Sequence, residues 1–592
     1  MTVYDIYLIK PTRYDDDGYP LQWWRSLIPS NSLACVVGLV QDAIDRRIFG
    51  GDVEPRMHVV DETHTKVEPR DIIARHRKGA GRTLVCLVGV QSNQFPRSVD
   101  IARPLRAAGI PVCIGGFHVS GCISMLDELP RDLREAQDLG ISFFAGEAEE
   151  GRMDTVLLDG FADRLEKVYD HLASAPGIAG VPIPLLDPRE IRRNLSSYTS
   201  FDLGRGCPFE CSFCTIINVQ GRKSRFRTPD DLERIIRTNA AQGINRFILT
   251  DDNFARNKNW ESFVDRLLEL RKQGLKVRLA MQVDTLAHRI PRFIDKVTRA
   301  GADQIFIGLE SINADNLEAV KKRQNRIEEY REMFVAWKRR SVVITCGIII
   351  GFPNDTKESI LRDIETLKRE LPIDTIYLNY LTPLPGSEDH QRAVREGVWM
   401  DPDMNKYDLS HRVTHHPKMS DEDWEAAYRD AHASFYSWEH METVLRRAVA
   451  LRSKAKKTTA NRLMAYRETV RLEHTAKLEA GYIRIRRRRQ RRRGLPLENP
   501  LTFYPKALGL TARAFFGQLT TLVRLRYLLW RVMRDPRNLD YVDAAIRPTS
   551  EGEADTFLTS TRTTETSQRR AERADAAKAV KVAQATKADA AE

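Results

Sequence analysis

The chain has 592 residues, of which 42% are hydrophobic and 29% are charged, and its formal net charge at pH 7 is +12. This length excludes a single hydrophobic core and predicts two or three domains with tails, and the hydrophobic fraction is enough for globular packing. No apolar run reaches the ~18 residues of a membrane span, and Met1 to Lys10 lacks the basic start and apolar stretch of a signal peptide. We therefore expect a cytoplasmic protein.

The first 150 residues alternate short apolar runs with stretches of helical spacing. This alternation predicts a doubly wound, Rossmann-like parallel sheet, whose ligands bind at the carboxyl ends of the strands. The predicted strands are Val3–Ile9, Met57–Asp61, Leu84–Val90, Pro111–Ile114 and Ile141–Phe144, and the predicted helices are Asn31–Arg47 and Arg97–Ala108.

Small and polar residues follow several of these strands. Ser92 comes after the third strand, Gly115 and Gly116 come after the fourth, and Gly146 and Glu147 come after the fifth. Two adjacent glycines allow a large ligand to approach the backbone closely, although a tight turn also explains them. We expect these five residues to lie at one ligand-binding edge of the sheet.

Three cysteines share one short loop after the strand-like run from Tyr198 to Leu203. Cys207, Cys211 and Cys214 have the spacing C-x3-C-x2-C, which supplies three thiolates for a [4Fe–4S] cluster and leaves the fourth iron open to a small molecule. A structural zinc site needs four ligands in two short pairs, and the sequence has no second C-x2-C pair. Packing by buried cysteines is the plainer alternative, but neighbouring glycine and proline predict an exposed loop.

Strand and helix units then repeat as far as about Ser387. With the strand before the cysteines they give six strands, which fit a partial (β/α)6 barrel of the TIM type with its active groups at the carboxyl ends of the strands. The further strands are Arg246–Thr250, Val277–Gln282, Gln304–Ile307, Val342–Ile350 and Thr375–Leu381, separated by helices Asp230–Ala241, Asn259–Gln273, Arg289–Ala300, Arg326–Arg340 and Lys357–Glu370.

The carboxyl-terminal third is helical and basic. From Asp421 to Leu478 aromatic residues recur at helical spacing, which is typical of a packing stripe. Residues 484–534 contain thirteen Arg and one Lys against one acid, and from Phe503 to Met533 arginines alternate with large apolar residues. This segment favours contact with an anionic membrane, ahead of an intramolecular or oligomeric face and ahead of nucleic acid. The composition from 548 to 592 predicts a disordered tail.

The cysteine loop resembles that of the radical S-adenosylmethionine (SAM) superfamily, in which an aromatic residue, here Phe213, precedes the last cysteine. The resemblance implies that Cys207, Cys211 and Cys214 hold a [4Fe–4S] cluster, which chelates and cleaves SAM to give a 5′-deoxyadenosyl radical. It also implies SAM contacts at the ends of the barrel strands, at Phe213, Asp251, Asp252, Asn253, Gln282, Glu310, Ser311, Gly347 and Gly351. The aspartates and the asparagine serve equally well as helix caps, which is the plainer interpretation of that group.

The amino-terminal half resembles the cobalamin-binding domain that is fused to many radical SAM enzymes. The resemblance implies cobalamin contacts at Ser92, Gly115, Gly116, Gly146 and Glu147. The loop after the first strand, Lys10 to Gly18, lacks the cobalt-ligating histidine of methionine synthase. This departure fits the radical SAM branch, and it also leaves open a degenerate domain that binds no cobalamin.

These observations lead to five expected regions and one leading function. The regions are 1–190 (cobalamin-binding-like), 191–400 (radical SAM barrel), 401–480 (helical), 481–547 (basic and amphipathic) and 548–592 (tail). We expect a cobalamin-dependent radical SAM methyltransferase that acts on a hydrophobic small molecule of the lipid or pigment class.

The expected partners are an electron donor such as flavodoxin or ferredoxin and, through 484–534, the inner face of the membrane, but not nucleic acid. The alternatives are an enzyme like the tRNA methylthiotransferases and a non-enzymatic iron–sulfur redox sensor. The first is disfavoured because the amino-terminal half has no second cysteine trio.

Overall fold

The computed structural model describes residues 1–79, 81–195, 197–475, 479–547 and 569. The tail that we predict to be disordered, 548–592, lies outside these residues apart from 569, and so does the end of the predicted helical span, 476–478.

The amino-terminal half is built on a parallel sheet. Its strands are β1 (Thr2–Lys10), β2 (Gln22–Ser26, outside the sheet), β3 (Val53–Asp61), β4 (Arg82–Val88), β5 (Val112–Gly115), β6 (Ser142–Ala145) and β7 (Val168–Asp170). Its helices are α1 (Asn31–Asp45), α2 (Pro69–Lys78), α3 (Phe95–Ala107), α4 (Phe117–Met125), α5 (Arg131–Asp138), α6 (Arg152–Phe161) and the short connecting α7 (Pro188–Arg192).

In the part of the chain that the structure describes, the strand order is β3-β1-β4-β5-β6-β7 with every pair parallel. Successive side chains of β1 point to opposite faces of the sheet. Tyr4, Ile6 and Leu8 join one buried cluster, whereas Tyr7 and Ile9 join another, so helices cover both faces. The predicted doubly wound sheet is confirmed, and its order reverses between β1 and β4, where such sheets bind ligands.

The middle of the chain forms the expected barrel-like sheet. Its strands are β8 (Tyr198–Phe201), β9 (Gly204–Arg205), β10 (Arg225–Phe226), β11 (Arg246–Leu249), β12 (Arg278–Val283), β13 (Ala302–Glu310), β14 (Val343–Ile350) and β15 (Thr375–Tyr380). The helices are α8 (Ile216–Val219), α9 (Pro229–Ala241), α10 (Trp260–Lys272), α11 (Phe293–Ala300), α12 (Ala314–Ala319), α13 (Tyr330–Lys338), α14 (Lys357–Glu370) and α15 (Glu388–Arg395).

Within the described residues, six parallel strands run in the order β15-β14-β13-β12-β11-β8, so the barrel stays open between β15 and β8. The partial (β/α)6 barrel is therefore confirmed. Because all six strands are parallel, their carboxyl ends meet at one rim. The loop with the three cysteines follows β8, the first of the six in the sequence.

Three helices cover the free side of β15. They are α16 (Asp421–Phe435), α17 (Trp438–Ala450) and α18 (Lys456–Glu473). The Tyr436 hydroxyl after α16 donates to the carbonyl of Ile376 (2.7 Å) and accepts from its amide (3.0 Å), and the Tyr428 hydroxyl donates to the Leu378 carbonyl (3.3 Å). These tyrosines satisfy backbone groups that a partner strand would otherwise bind.

The arginine run after these helices docks on the amino-terminal half. Strand β16 (Gly481–Ile485) pairs antiparallel with β2, and Arg484 is buried between the carboxylates of Asp15 (2.6 Å) and Glu473 (3.4 Å). Arg492 pairs with Asp403 (2.7 Å). Acids of this chain therefore neutralise several arginines of residues 484–493, which supports the intramolecular alternative for them, while membrane contact by 484–534 stays a prediction.

Helix α19 (Pro500–Arg534) completes the described carboxyl-terminal region and packs on α17 and α18. It is longer than most helices in globular proteins. None of the helices in the described ranges combines the length and the apolarity that crossing a membrane requires.

Candidate functional site

The three cysteines lie on a loop whose base is closed by two short strands. β9 and β10 pair antiparallel, and the amide of Cys207 donates to the Gly221 carbonyl (3.3 Å). Gly206, just before the first cysteine, has a φ of +87°, and a Cβ there would lie 2.9 Å from the Gly221 carbonyl oxygen. Only glycine suits this crossing, so the backbone fixes where the thiols begin.

The middle of the loop is anchored to two other parts of the barrel. The amide of Ser212 donates to the Val320 carbonyl (3.1 Å), and the amide of Asp389 on α15 donates to the Ser212 carbonyl (3.1 Å). The Gln324 side-chain amide lies 3.4 Å from the sulfur of Cys211. The thiols are thus placed by distant segments as well as by their own loop.

The donor set fits a multi-iron cluster. Burial raises the pKa of Cys214 to about 12 and also raises the pKa of Cys207, so binding of metal must displace the thiol protons. In the described ranges, no group of three or more His, Cys, Asp or Glu converges on a point that could hold one metal ion. A four-iron cluster binds each thiolate at a different iron, and its cysteines need not converge in that way.

Asp251 and Asp252, which follow β11, brace the cysteine loop. The carboxylate of Asp251 accepts from the Leu203 amide (2.6 Å), and Asp252 accepts from the Gly206 amide. Burial raises the pKa of Asp251 to about 8 and that of Asp252 to about 7. The expected contact of these carboxylates with the SAM ammonium stays a prediction, and the bracing role is not visible in the sequence.

The ends of β11 and β12 share a polar cluster. Asn253 donates to Asp284 (2.8 Å), and Arg256 grips both carboxylate oxygens of Asp284. Gln282, two residues earlier on β12, has an exposed side chain and lies one strand from the cysteine loop's bracing aspartates. Asn253 and Gln282 are thus at the expected rim, and their contact with SAM remains a prediction.

The end of β13 carries an ion pair. Glu310 has a left-handed backbone (φ 61°) at an irregularity in the pairing with β14, and its carboxylate pairs with Lys322. The Lys322 ammonium lies 5.6 Å from the ring centre of Phe213. Lys322 therefore joins the strand end to the cysteine loop, and no motif in the sequence announces it.

Ser311 is engaged by its own loop. Its hydroxyl accepts from the Asn313 amide (3.0 Å) and from the Asn316 side chain (3.4 Å), so it holds the turn that precedes α12, whose N-cap is Asn313. Asn316 also donates to Asp355 (2.7 Å), which ties this loop to the end of β14. Whether Ser311 also donates to SAM stays a prediction.

The two glycines of β14 and the loop after it differ in their surroundings. A Cβ on Gly347 would lie 3.0 Å from the ring of Phe306, inside the barrel, so its neighbour is a side chain of the next strand. Gly351 has a φ of +90°, and the indole of Trp424 on α16 fills the space that a side chain there would need. Close packing of Trp424 is thus one reason for a glycine at 351, and the contact of Gly347 and Gly351 with SAM stays a prediction.

A cavity of about 180 Å³ opens at the carboxyl ends of β4, β5 and β6. Its inner wall is apolar, formed by side chains from the sheet and from α1 and α6. Four of the five residues expected to contact cobalamin line it: Gly115, Gly116, Gly146 and Glu147.

Ser92 is the exception among the predicted cobalamin contacts. It is buried and its hydroxyl pairs with the ring of His118 (3.1 Å), whose other nitrogen lies 2.9 Å from Asp132. Gly116 lines the cavity, but a Cβ there would collide with the backbone of Val90. A glycine at position 116 is thus explained by close backbone packing as well as by access for a ligand.

Arg205 joins the cavity to the cysteine loop. This arginine of β9 pairs with Glu147 (2.7 Å) and Glu149 (2.8 Å) at the cavity rim and with Asp202 (2.9 Å) on its own side. Arg225 of β10 pairs with Glu147 as well (2.5 Å). β9 leads directly into Gly206 and Cys207. These ion pairs therefore connect the rim of the cavity to the base of the cysteine loop.

Comparison with known proteins identifies relatives of this chain. Residues 202–367 match the radical SAM superfamily. Over 353 residues, 55% of this chain and 72% of the relative, the sequence is 29% identical to bacteriochlorophyllide d C-8(2)-methyltransferase of Chlorobaculum tepidum. It is 25% identical to hopanoid C-2 methylase of Rhodopseudomonas palustris over 53% of this chain and 58% of the relative.

A tRNA-2-methylthio-N(6)-dimethylallyladenosine synthase of Bacillus mycoides is 30% identical over only 31% of this chain and 37% of its own length. Among solved structures, the cobalamin-dependent radical enzyme OxsB, with aqua-cobalamin and SAM bound, aligns with a TM-score of 0.51 and 13% identity over 96% of this chain and 83% of its own. At this identity the likeness concerns the fold. Residues 202–367 therefore match a radical SAM domain, and the chain shares the fold of a cobalamin-dependent radical enzyme.

Proposed function

We propose that this protein is a cobalamin-dependent radical SAM methyltransferase. The observation that carries the proposal is the placement of three thiols at the end of β8, joined through Arg205 to the rim of the cavity in the amino-terminal sheet. A redox sensor would need the thiols but neither this cavity nor the polar strand ends.

When bound, the cluster and SAM supply a 5′-deoxyadenosyl radical, and cobalamin supplies the methyl group. The residues of this chain then have separate tasks. Cys207, Cys211 and Cys214 would hold the cluster, while Asp251 and Asp252 keep their loop in place. The apolar cavity that has Glu147 at its rim would hold a flat group of cobalamin and exclude water from it.

We further propose a hydrophobic small-molecule substrate, an electron donor such as flavodoxin or ferredoxin, and peripheral membrane contact by part of 484–534. The relatives named for a pigment and for a hopanoid support this substrate class. Against a tRNA substrate, the methylthiotransferase relative matches only 192 residues, and the amino-terminal half has no second cysteine trio.

The test is anaerobic reconstitution of the full chain with iron, sulfide, SAM, reductant and cobalamin. We expect 5′-deoxyadenosine from the parent, and none from the chain in which Cys207, Cys211 and Cys214 are all changed to alanine, which should also lose its iron. Cys346→Ala is the matched control, because this buried cysteine of β14 lies outside the loop, and it should keep both iron and product.

Two results would overturn different parts of the proposal. An intact cluster that yields no 5′-deoxyadenosine would remove the enzyme and leave the sensor. Radical chemistry without bound cobalamin, read from the absorbance of the protein after desalting, would remove the methylcobalamin route and spare the rest.

A further inference from the structure

Helix α19 has a continuous exposed apolar stripe. Nine large side chains on it are at least 44% exposed: Leu501, Tyr504, Leu508, Phe516, Leu519, Val523, Tyr527, Trp530 and Met533. With 3.6 residues per turn these positions fall on one side of the helix, within less than half of its circumference. Most apolar residues that are exposed in folded proteins are isolated, so a stripe along a 35-residue helix indicates a surface with a partner.

The opposite side of α19 is already occupied. Leu525, Leu528, Leu529 and Val532 are buried against the helices beneath it, and the Thr521 hydroxyl donates to Glu468 of α18 (2.8 Å). The exposed stripe is therefore not needed to pack α19 against the rest of the protein. It is a second apolar face, directed away from the protein.

The apolar surface continues onto the ribbon formed by β2 and β16. The ring of Phe515 lies 6.2 Å from that of Tyr482, which lies 6.2 Å from the 53% exposed Trp24. Ile483 on the same ribbon is 36% exposed. Tryptophan and tyrosine are enriched at the level of lipid headgroups, where an apolar ring and a polar tip are both satisfied.

The charge on α19 has one sign. Between residues 500 and 534 there are six cations and no acid. Four of them, Lys506, Arg513, Arg524 and Arg531, are exposed and follow one flank of the apolar stripe at intervals of seven or eleven residues. Two of the four also pair with acids of neighbouring elements, Lys506 with Asp17 (3.0 Å) and Arg531 with Glu442 (2.6 Å). A basic flank beside an apolar face is the pattern of helices that lie in the interface of an anionic bilayer.

We infer that the exposed face of α19, extended by Trp24 and Ile483, lies on the surface of an anionic lipid bilayer. This inference deepens the membrane contact proposed above and places it on α19, because Arg484, Arg486, Arg491 and Arg492 pair with acids of the protein itself. The helix would lie in the plane of the surface, with its apolar stripe among the acyl chains and its cations at the headgroup phosphates.

Other occupants of this face match its charge less well. Pairing with a second copy would bring two rows of cations together, and the acids beside them, Asp17 and Glu442, are already paired within each copy, so the contact is unfavourable. The tail at 548–592 offers only Phe557, Leu558, Val580 and Val582 as large apolar residues, too few to cover nine.

The experiment measures flotation of the full chain with vesicles of phosphatidylcholine, with and without phosphatidylglycerol, at low and high salt. We expect binding only when phosphatidylglycerol is present, and weaker binding at high salt. Changing both Phe516 and Tyr527 to serine should lower the vesicle partition coefficient by at least about tenfold, because each exposed ring loses its burial in lipid.

Val394→Ser is the matched control, since Val394 is 46% exposed on α15 and lies outside this face. It should bind vesicles like the parent, and all variants should keep the parent's thermal unfolding and its yield of 5′-deoxyadenosine. The yield of 5′-deoxyadenosine separates a loss of membrane binding from a failure of the proposed chemistry. Equal partition of the Phe516/Tyr527 variant and the parent would overturn the inference, and so would a dimer in solution that the same variant dissociates while vesicles bind neither protein.

Discussion

Asp363 on α14 is a half-buried acid whose surroundings disfavour its charged form. Burial raises its pKa to about 7, and the neighbouring charge of Asp355 adds to the shift. Between pH 4 and pH 7 the folded protein therefore holds a proton that the unfolded chain releases, and its free energy of unfolding falls as the pH rises. We expect Asp363→Asn to unfold at a higher free energy than the parent at pH 8, by on the order of 1 kcal/mol, and to differ little at pH 4.

Urea unfolding of both proteins across this pH range measures the effect. Glu358→Gln on the same helix removes the same charge from an exposed position, and its difference from the parent should not grow with pH in this way. Parallel curves for Asp363→Asn and the parent would contradict the assignment.

At the scale of residues, the sequence predicts well what a short motif contains. The spacing of Cys207, Cys211 and Cys214 predicts a shared loop, and the structure places all three there. The sequence does not predict the contact of Lys322 with Glu310 or of Trp424 with Gly351. The members of each pair are separated along the chain by turns or whole elements, and only the fold brings them together.

Helix α4 presses its glycine against the barrel. A Cβ on Gly121 would lie 2.6 Å from the Pro385 carbonyl oxygen and 2.8 Å from the Cα of Gly386, both in a loop at the rim. We expect Gly121→Ala to destabilise the protein by about 1–3 kcal/mol, because backbone atoms cannot yield as a flexible side chain would. Thermal unfolding and cobalamin affinity should both report the displacement of α4 beside the cavity.

The same substitution elsewhere supplies the control. Gly509 lies inside α19, where an added Cβ has no neighbour within 4 Å. Gly509→Ala should therefore stabilise the protein by about 0.5–1 kcal/mol through helix propensity alone. Equal effects at the two positions would show that α4 is not packed as described.

At the scale of elements, periodicity predicts the long strands and helices within a few residues of their ends. β14, expected at 342–350, spans Val343–Ile350, and α14 has the expected bounds. The ribbon of β2 and β16 was not predicted, because its strands are short and more than 450 residues apart. Without that pair, the docking of the arginine run on the amino-terminal half could not be predicted from its composition.

His411 joins the two halves of the molecule. Its ring lies 3.2 Å from Asp16 of the amino-terminal half and 3.0 Å from Asp408, which also pairs with Arg13 (3.0 Å). Burial would lower the pKa of His411, but the hydrogen bonds to the two carboxylates raise it to about 10. This stabilisation is fully present below pH 6.5 and is lost as the pH rises toward 10.

We therefore expect His411→Gln to lower the free energy of unfolding by on the order of 2 kcal/mol at pH 6 and by much less at pH 10. Denaturant melts at several pH values measure this. His415→Gln is the control, since its partner Asp421 lies in the same carboxyl-terminal region. A His411→Gln deficit that is constant with pH would contradict the charge-based account.

The two tyrosines that close the side of β15 limit how this protein can be dissected. A version that stops at residue 400 would retain all three thiols but lose Tyr428 and Tyr436, and the amides and carbonyls of 375–380 would be free to recruit a strand from another molecule. Insoluble product from such a truncated gene would report that unprotected strand and not a fault in the chemistry. A shortened protein that is to stay soluble must therefore include the helices of 421–473.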